Sequence, residues 1–108
     1  MYEMRQLEIP PSFMALYTRH GRPSAAREVV EARYEACEDL AHGVAGFCST
    51  QAADDDGGRS AILLRCHAGL LLTPQTLSAA EAGWVTGRTA ELLEWDTPPL
   101  PDATDDAD

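Results

Sequence analysis

Apolar or small residues recur at Ala26, Val30, Tyr34, Cys37, Ala41, Val44 and Cys48, in steps of four and three that put one side chain per turn on a single helical face. The spacing predicts one long amphipathic helix from Ser24 to about Thr50, with Leu40 and Phe47 widening its apolar seam. Ser24, directly after Pro23, is placed as its N-cap, and Glu28 and Glu31 fall near the first turns, where the positive end of the helix dipole favours carboxylates. Gly43 and Gly46 each cost about 1 kcal/mol relative to alanine in a helix interior and favour an end a turn or two earlier, but the end is placed near Thr50.

Three shorter helices are expected around this one. Ile9-Pro10-Pro11 reads as extended, because each proline fixes its own φ and pushes the preceding residue out of the helical region. Ser12 then caps a short helix from Phe13 to about His20, with Phe13, Leu16 and Tyr17 on one face and Gly21 as a left-handed stop. Past the long helix, Gln51 to Gly58 is polar, acidic and glycine-terminated, a flexible loop. Ser60 to Leu72 contains two leucine-rich runs that fit a buried strand or a helix; leucine and alanine outnumber β-branched residues, and Leu63, Cys66 or His67, and Leu70 keep helical spacing. Helix is the expectation. Ser78-Ala79-Ala80-Glu81 is a capping box that starts a last helix to about Trp95, with Ala82, Val85, Thr89 and Leu92 on its core face and Leu93 alongside. Beside that face Ala79, Gly83 and Gly87 form a small-residue stripe, expected to admit close approach by the long helix or by a second chain.

The predicted architecture is therefore all-α: an extended segment over 1–11, a single helical domain over 12–95 and a disordered acidic tail over 96–108, where proline, aspartate and threonine offer little to bury. Residues 12–95 hold twenty-two large apolar side chains, a thin core for that length, which makes a partner surface expected. Eight arginines and no lysine stand against eighteen Asp and Glu, a net charge of −10. That balance excludes nucleic acid and anionic membrane surfaces as partners, since both require cationic groups. The absence of Lys and Asn beside abundant Ala, Arg and Gly points to GC-rich coding DNA and a bacterial source. No window reaches the roughly 20 apolar residues of a membrane span, and Met1-Tyr2-Glu3-Met4-Arg5 does not begin like a signal peptide, so a cytoplasmic location is expected. Three cysteines, an odd and sparse set, fit reduced and partly buried thiols.

Lysine-free composition removes several chemistries. A phosphate loop needs lysine after its glycine-rich turn, and Schiff-base or kinase-type catalysis needs it as well. Asp54-Asp55-Asp56-Gly57 superficially resembles a calcium loop, but aligning Gly57 with the central glycine puts Ala52 and Leu63 at ligand positions. Cys37, Cys48, Cys66, His42 and His67 contain no Cys-x-x-Cys or His-x-x-x-His pair, and no nucleophile elbow occurs. His42, one turn after Glu38 and Asp39, reads as an exposed helix pair rather than a general base. No catalytic residue, cofactor or metal is expected. The candidate interaction residues are Glu31, Glu35 and Asp39, like charges one turn apart that suit an Arg-rich partner, together with Gly83, Trp84, Gly87 and Arg88 on the last helix. The expected function is a small protein-interaction module or accessory subunit that binds a protein partner or a second copy of itself. The alternative is a thiol or zinc sensor using Cys37, Cys48 and Cys66.

Several runs carry a resemblance to a known group: Ile9-Pro10-Pro11-Ser12-Phe13-Met14-Ala15-Leu16-Tyr17, Ala26 to Glu35, Cys37-Glu38-Asp39-Leu40-Ala41, Arg65-Cys66-His67-Ala68-Gly69-Leu70 and Ser78 to Val85. From Ile9 to Trp95 the chain resembles short proteobacterial proteins labelled "ATPase with chaperone activity". The label implies ATP hydrolysis, for which this sequence has no phosphate loop, no lysine and too little length. What the resemblance leaves is a small accessory to a larger chaperone machine.

Overall fold

Pro10 sets the first turn. The computed structural model describes residues 8–52 and 58–100 of the chain. Pro10 is extended (φ −61°, ψ 149°), and its carbonyl accepts from the amides of Phe13 and Met14, both at 3.0 Å, to open helix α1, Pro11–Met14. Pro11 occupies the first helical position, where its missing N–H is no loss. Ser12 lies inside this helix rather than capping it, and α1 tightens at once into a 3-10 turn, Ala15–Tyr17.

The helix expected to reach His20 gives way to a two-stranded antiparallel hairpin, β1 Thr18–Arg19 with β2 Arg22–Pro23. Its two turn residues, His20 and Gly21, have φ of 55° and 77°, the pair of positive values that a tight primed turn demands. Gly21 is thus left-handed as expected, but as a hairpin residue and not as a helix stop. Ser24 is not a helix cap either: its amide donates to the Tyr17 carbonyl at 2.8 Å and closes the hairpin base. Helix α2 begins three residues later and runs Arg27–Ala52, its first turn closed by Val30 N–H to Ala26 O at 3.1 Å.

The described residues are mainly helical, with α2 the longest of four α-helices, followed by α3, Arg59–Leu70, and α4, Ala79–Leu93. The chain divides into two compact units, Met1–Ala36 and Cys37–Asp108. In the first, Phe13 is fully buried, with its ring 5.6 Å from that of Tyr17 and 5.5 Å, edge-on, from that of Tyr34, and Val30 is buried as well. In the second, Cys48, Ile62, Leu63 and Ala90 form a buried cluster, lined by the half-buried Val44, Cys66, Leu93 and Trp95.

Along α2 the seam is largely as predicted: Val30, Cys37, Ala41 and Cys48 are buried and Tyr34 and Val44 half-buried, while Ala26 precedes the helix and is exposed. Ala45 joins the buried face. Leu40 and Phe47 do not widen it; they are 37% and 56% exposed. Gly43 and Gly46 are absorbed within the helix. In α3 the buried side chains are Ile62, Leu63 and His67, and Leu72, beyond the helix end, is 80% exposed. The capping box is present in full: Glu81 N–H donates to Ser78 Oγ and Ser78 N–H to Glu81 Oε1, each at 3.0 Å. At the other end Glu94 is left-handed (φ 60°), and Trp95 N–H reaches the Ala90 carbonyl at 2.9 Å. Asp96 to Leu100 has no regular structure, and the rest of the expected acidic tail, like most of the expected acidic loop, falls outside the described residues.

The small-residue stripe of α4 does not receive α2. A Cβ added at Gly83 or Gly87 meets nothing within 4 Å, so both positions look onto open space. Helix propensity then decides the sign of a substitution: Gly83→Ala and Gly87→Ala each raise stability, by up to about 1 kcal/mol. Urea midpoints check this, and a fall at either site would show that something packs there.

Candidate functional site

The strongest polar contact between helices pairs Glu38 of α2 with Arg88 of α4. Arg88 Nε donates to Glu38 Oε1 at 2.9 Å and Nη2 to Glu38 Oε2 at 2.8 Å, the two-pronged geometry in which a guanidinium holds a carboxylate most firmly. Arg88 Nη1 also donates to Glu91 Oε1 at 3.1 Å, and His42 Nε2 lies 3.0 Å from Glu38 Oε2. The Arg88 hydrogen bonds hold the Glu38 carboxyl below its ordinary 4.5, against the opposing effect of burial. Glu38 in turn keeps the guanidinium even more firmly charged than usual. Arg88, expected on an interaction surface, is thus engaged by its own chain.

The other expected residues separate. Glu31 is half-buried and accepts from Arg27 Nε at 2.9 Å within the first unit. Glu35 and Asp39 are exposed. Trp84 is half-buried on α4, between the open positions of Gly83 and Gly87. The structure therefore leaves Asp39 available and ties up Arg88.

Sequence spacing did not show what surrounds Asp39. One residue on and then one heptad further, Leu40 and Phe47 stand out from α2, with exposed Gly43 between them. At about 100° per residue, Asp39, Leu40, Gly43 and Phe47 share one outward arc of the helix that flanks the buried side, Leu40 lying about 60° from Cys37. The earlier sign was present in the sequence: Leu40 and Phe47 lie off the centre of the four-and-three seam.

Next to Phe47 lies a shallow groove of about 270 Å³ lined by Phe47, Gln51, Ile62, Arg65 and Cys66. Behind Cys66, the buried Cys48 places its Sγ 3.5 Å from the Cys66 Sγ. Burial, with the Cys66 hydrogen bond, pushes the Cys48 thiol up to about 12. Cys37 is buried three turns back along α2, about 16 Å by helical rise. The three cysteines do not converge, and among the described residues no three His, Cys, Asp or Glu side chains gather to hold a metal ion. His67 is only 2% exposed, and loss of water from around its ring lowers its pKa below 6.5. No helix among the described residues is long and apolar enough to cross a membrane.

Two titrations follow with the same sign and different windows. The unfolded chain binds the His67 proton before the folded chain does, so stability falls as pH drops below about 6.5 towards the folded value. Glu38 is stabilised as a carboxylate, so its contribution is present above about 4.5 and is lost as pH falls through its lowered folded pKa. Urea unfolding across this range is expected to show two stages of loss, the upper one absent in His67→Gln and the lower one reduced in Glu38→Gln. An upper stage that survives in His67→Gln would assign it to another group.

Comparison with known proteins finds no matching family model, no matching curated protein and no matching solved structure.

Proposed function

We propose that the protein is a small interaction module, an accessory subunit with no catalytic site of its own, that binds a protein partner through the outward face of α2. The supporting observation is the exposure of Leu40 and Phe47 on one helical face, 37% and 56%, in a chain with few large apolar side chains to spare for its core. Single exposed apolar residues are common on protein surfaces; two at heptad spacing beside an apolar-edged groove form a surface a second helix or loop can cover.

Charge selects the kind of partner. Asp39 borders the face, and the whole chain carries −10. A second copy would bring the same charge, whereas an arginine-rich protein with apolar side chains would meet both features of the face. The resemblance to short proteobacterial proteins labelled for chaperone activity supports a place beside a larger chaperone machine in a bacterial cytoplasm. Glu38, Arg88 and Glu81 serve helix pairing and capping.

The test uses the paired substitution Leu40→Ser with Phe47→Ser. Affinity capture from the native host by the wild-type chain is expected to retain a basic protein in stoichiometric amount, with retention weakened by salt and abolished in the paired variant at little cost in melting temperature. An unchanged set of captured proteins would overturn the assignment of this face. Sedimentation provides a second check: a dimer that the paired variant dissolves would replace the basic partner with a second copy of the chain.

A further inference from the structure

Cys48 and Cys66 approach each other from different helices, α2 and α3, and their sulfurs lie 3.5 Å apart. No disulfide joins them. A covalent bond requires about 2.05 Å, so closure asks for a sulfur displacement of about 1.5 Å, within reach of side-chain torsion and slight helix adjustment. The pair is also asymmetric in access: Cys48 is wholly buried, whereas Cys66 is half-buried and lines the groove beside Phe47, Gln51, Ile62 and Arg65.

We infer that Cys48 and Cys66 form a redox-responsive thiol pair, which closes into an intramolecular disulfide by exchange with a low-molecular-weight disulfide entering the groove at Cys66. The inference stands independently of the interaction face on α2.

The exchange balances with that one reagent. Cys66, having released its proton to solvent, attacks one sulfur of the small disulfide; the reagent's S–S bond breaks, and one thiolate leaves and is protonated. The mixed disulfide on Cys66 then faces Cys48 Sγ across a distance that the reduced pair already holds at 3.5 Å, a near-attack separation. Cys48, once it has given up its proton, attacks Cys66 Sγ as the thiolate, and the second small thiol leaves as a thiolate that takes up a proton. Two protein thiols have been oxidised and one small disulfide reduced to two thiols. Cys48 is wholly buried and Cys66 lines the groove, which reserves the first step for Cys66. Arg65, on the groove wall, offers a cation to a reagent that carries carboxylates. Closure ties α2 to α3 directly beneath the groove.

The experiment uses the full chain and glutathione. Wild-type protein is equilibrated with graded ratios of oxidised to reduced glutathione, its remaining thiols are alkylated, and its mass is read intact and after cleavage at arginine and glutamate, which separates Cys37 from Cys48 at Glu38. Expected is a fall from three alkylatable thiols to one in a monomeric chain, a Cys48–Cys66 linked peptide, reversal by dithiothreitol and a rise in melting temperature on the order of 10 °C. Cys48→Ala is expected to retain one glutathionyl group on Cys66, and Cys66→Ala to react at least tenfold more slowly than wild type. Persistence of three thiols, glutathione held on wild-type Cys66 without closure, a bond involving Cys37 or a bond between two chains would each overturn the inference. The wild-type measurement decides the matter even if a variant fails to fold.

Discussion

Small side chains on the inner face of α2 set the terms for the unit that follows Ala36. From Cys37 to Cys48 the buried side chains of α2 are Cys37, Ala41, Ala45 and Cys48, with the half-buried Val44 beside them, and the buried face of α4 answers with Ala82, Val85, Thr86, Thr89 and Ala90. The Thr89 hydroxyl donates to the Ala41 carbonyl at 3.4 Å, a long hydrogen bond from one helix to the backbone of the other.

The buried polar side chains of α4 are hydrogen-bonded. Thr86, almost fully buried, donates its hydroxyl to the Ala82 carbonyl at 2.9 Å, one turn back on its own helix. Glu81 is buried with its carboxylate on the Ser78 amide, so the charge sits at the helix N-terminus, where the dipole favours it. At the opposite end Glu94 takes the left-handed position that glycine usually fills, and Trp95 folds back against the core cluster. The Arg59 guanidinium lies 5.3 Å from the centre of the Trp95 ring and links the start of α3 to the end of α4. Each end of α4 is therefore fixed by a specific local arrangement.

What the sequence revealed depended on whether the deciding interaction was local. The capping box needs only four consecutive residues and was legible, as was the four-and-three seam of α2, because burial of one residue per turn is a property of that helix alone. The hairpin at Thr18–Pro23 was hidden because Gly21 signals a left-handed residue without saying whether a helix ends there or a turn is forming; the second positive φ, at His20, distinguishes the cases and has no marker in the sequence. The Glu38–Arg88 pair and the Cys48–Cys66 approach join residues far apart in the chain, so no spacing rule announces them. The glycines of α4 carried a genuine small-residue pattern, but the pattern says only that an approach is permitted, and the chain does not make it.

Phe47 and Cys48 show how adjacent positions on one helix divide the work. They are about 100° apart around α2, and of the two Cys48 is wholly buried while Phe47 is 56% exposed. The larger apolar surface is on Phe47, and burying it would gain more from the hydrophobic effect than burying a thiol. Yet turning Phe47 inward would rotate Cys37, Ala41 and Cys48 out together, since all share one face, and would carry the Ala41 carbonyl away from the Thr89 hydroxyl. The same orientation of α2 places the Phe47 ring at the mouth of the groove and the Cys48 sulfur behind Cys66 at its base. The exposed Phe47 ring and the Cys48–Cys66 pair thus adjoin each other through neighbouring positions of one helix.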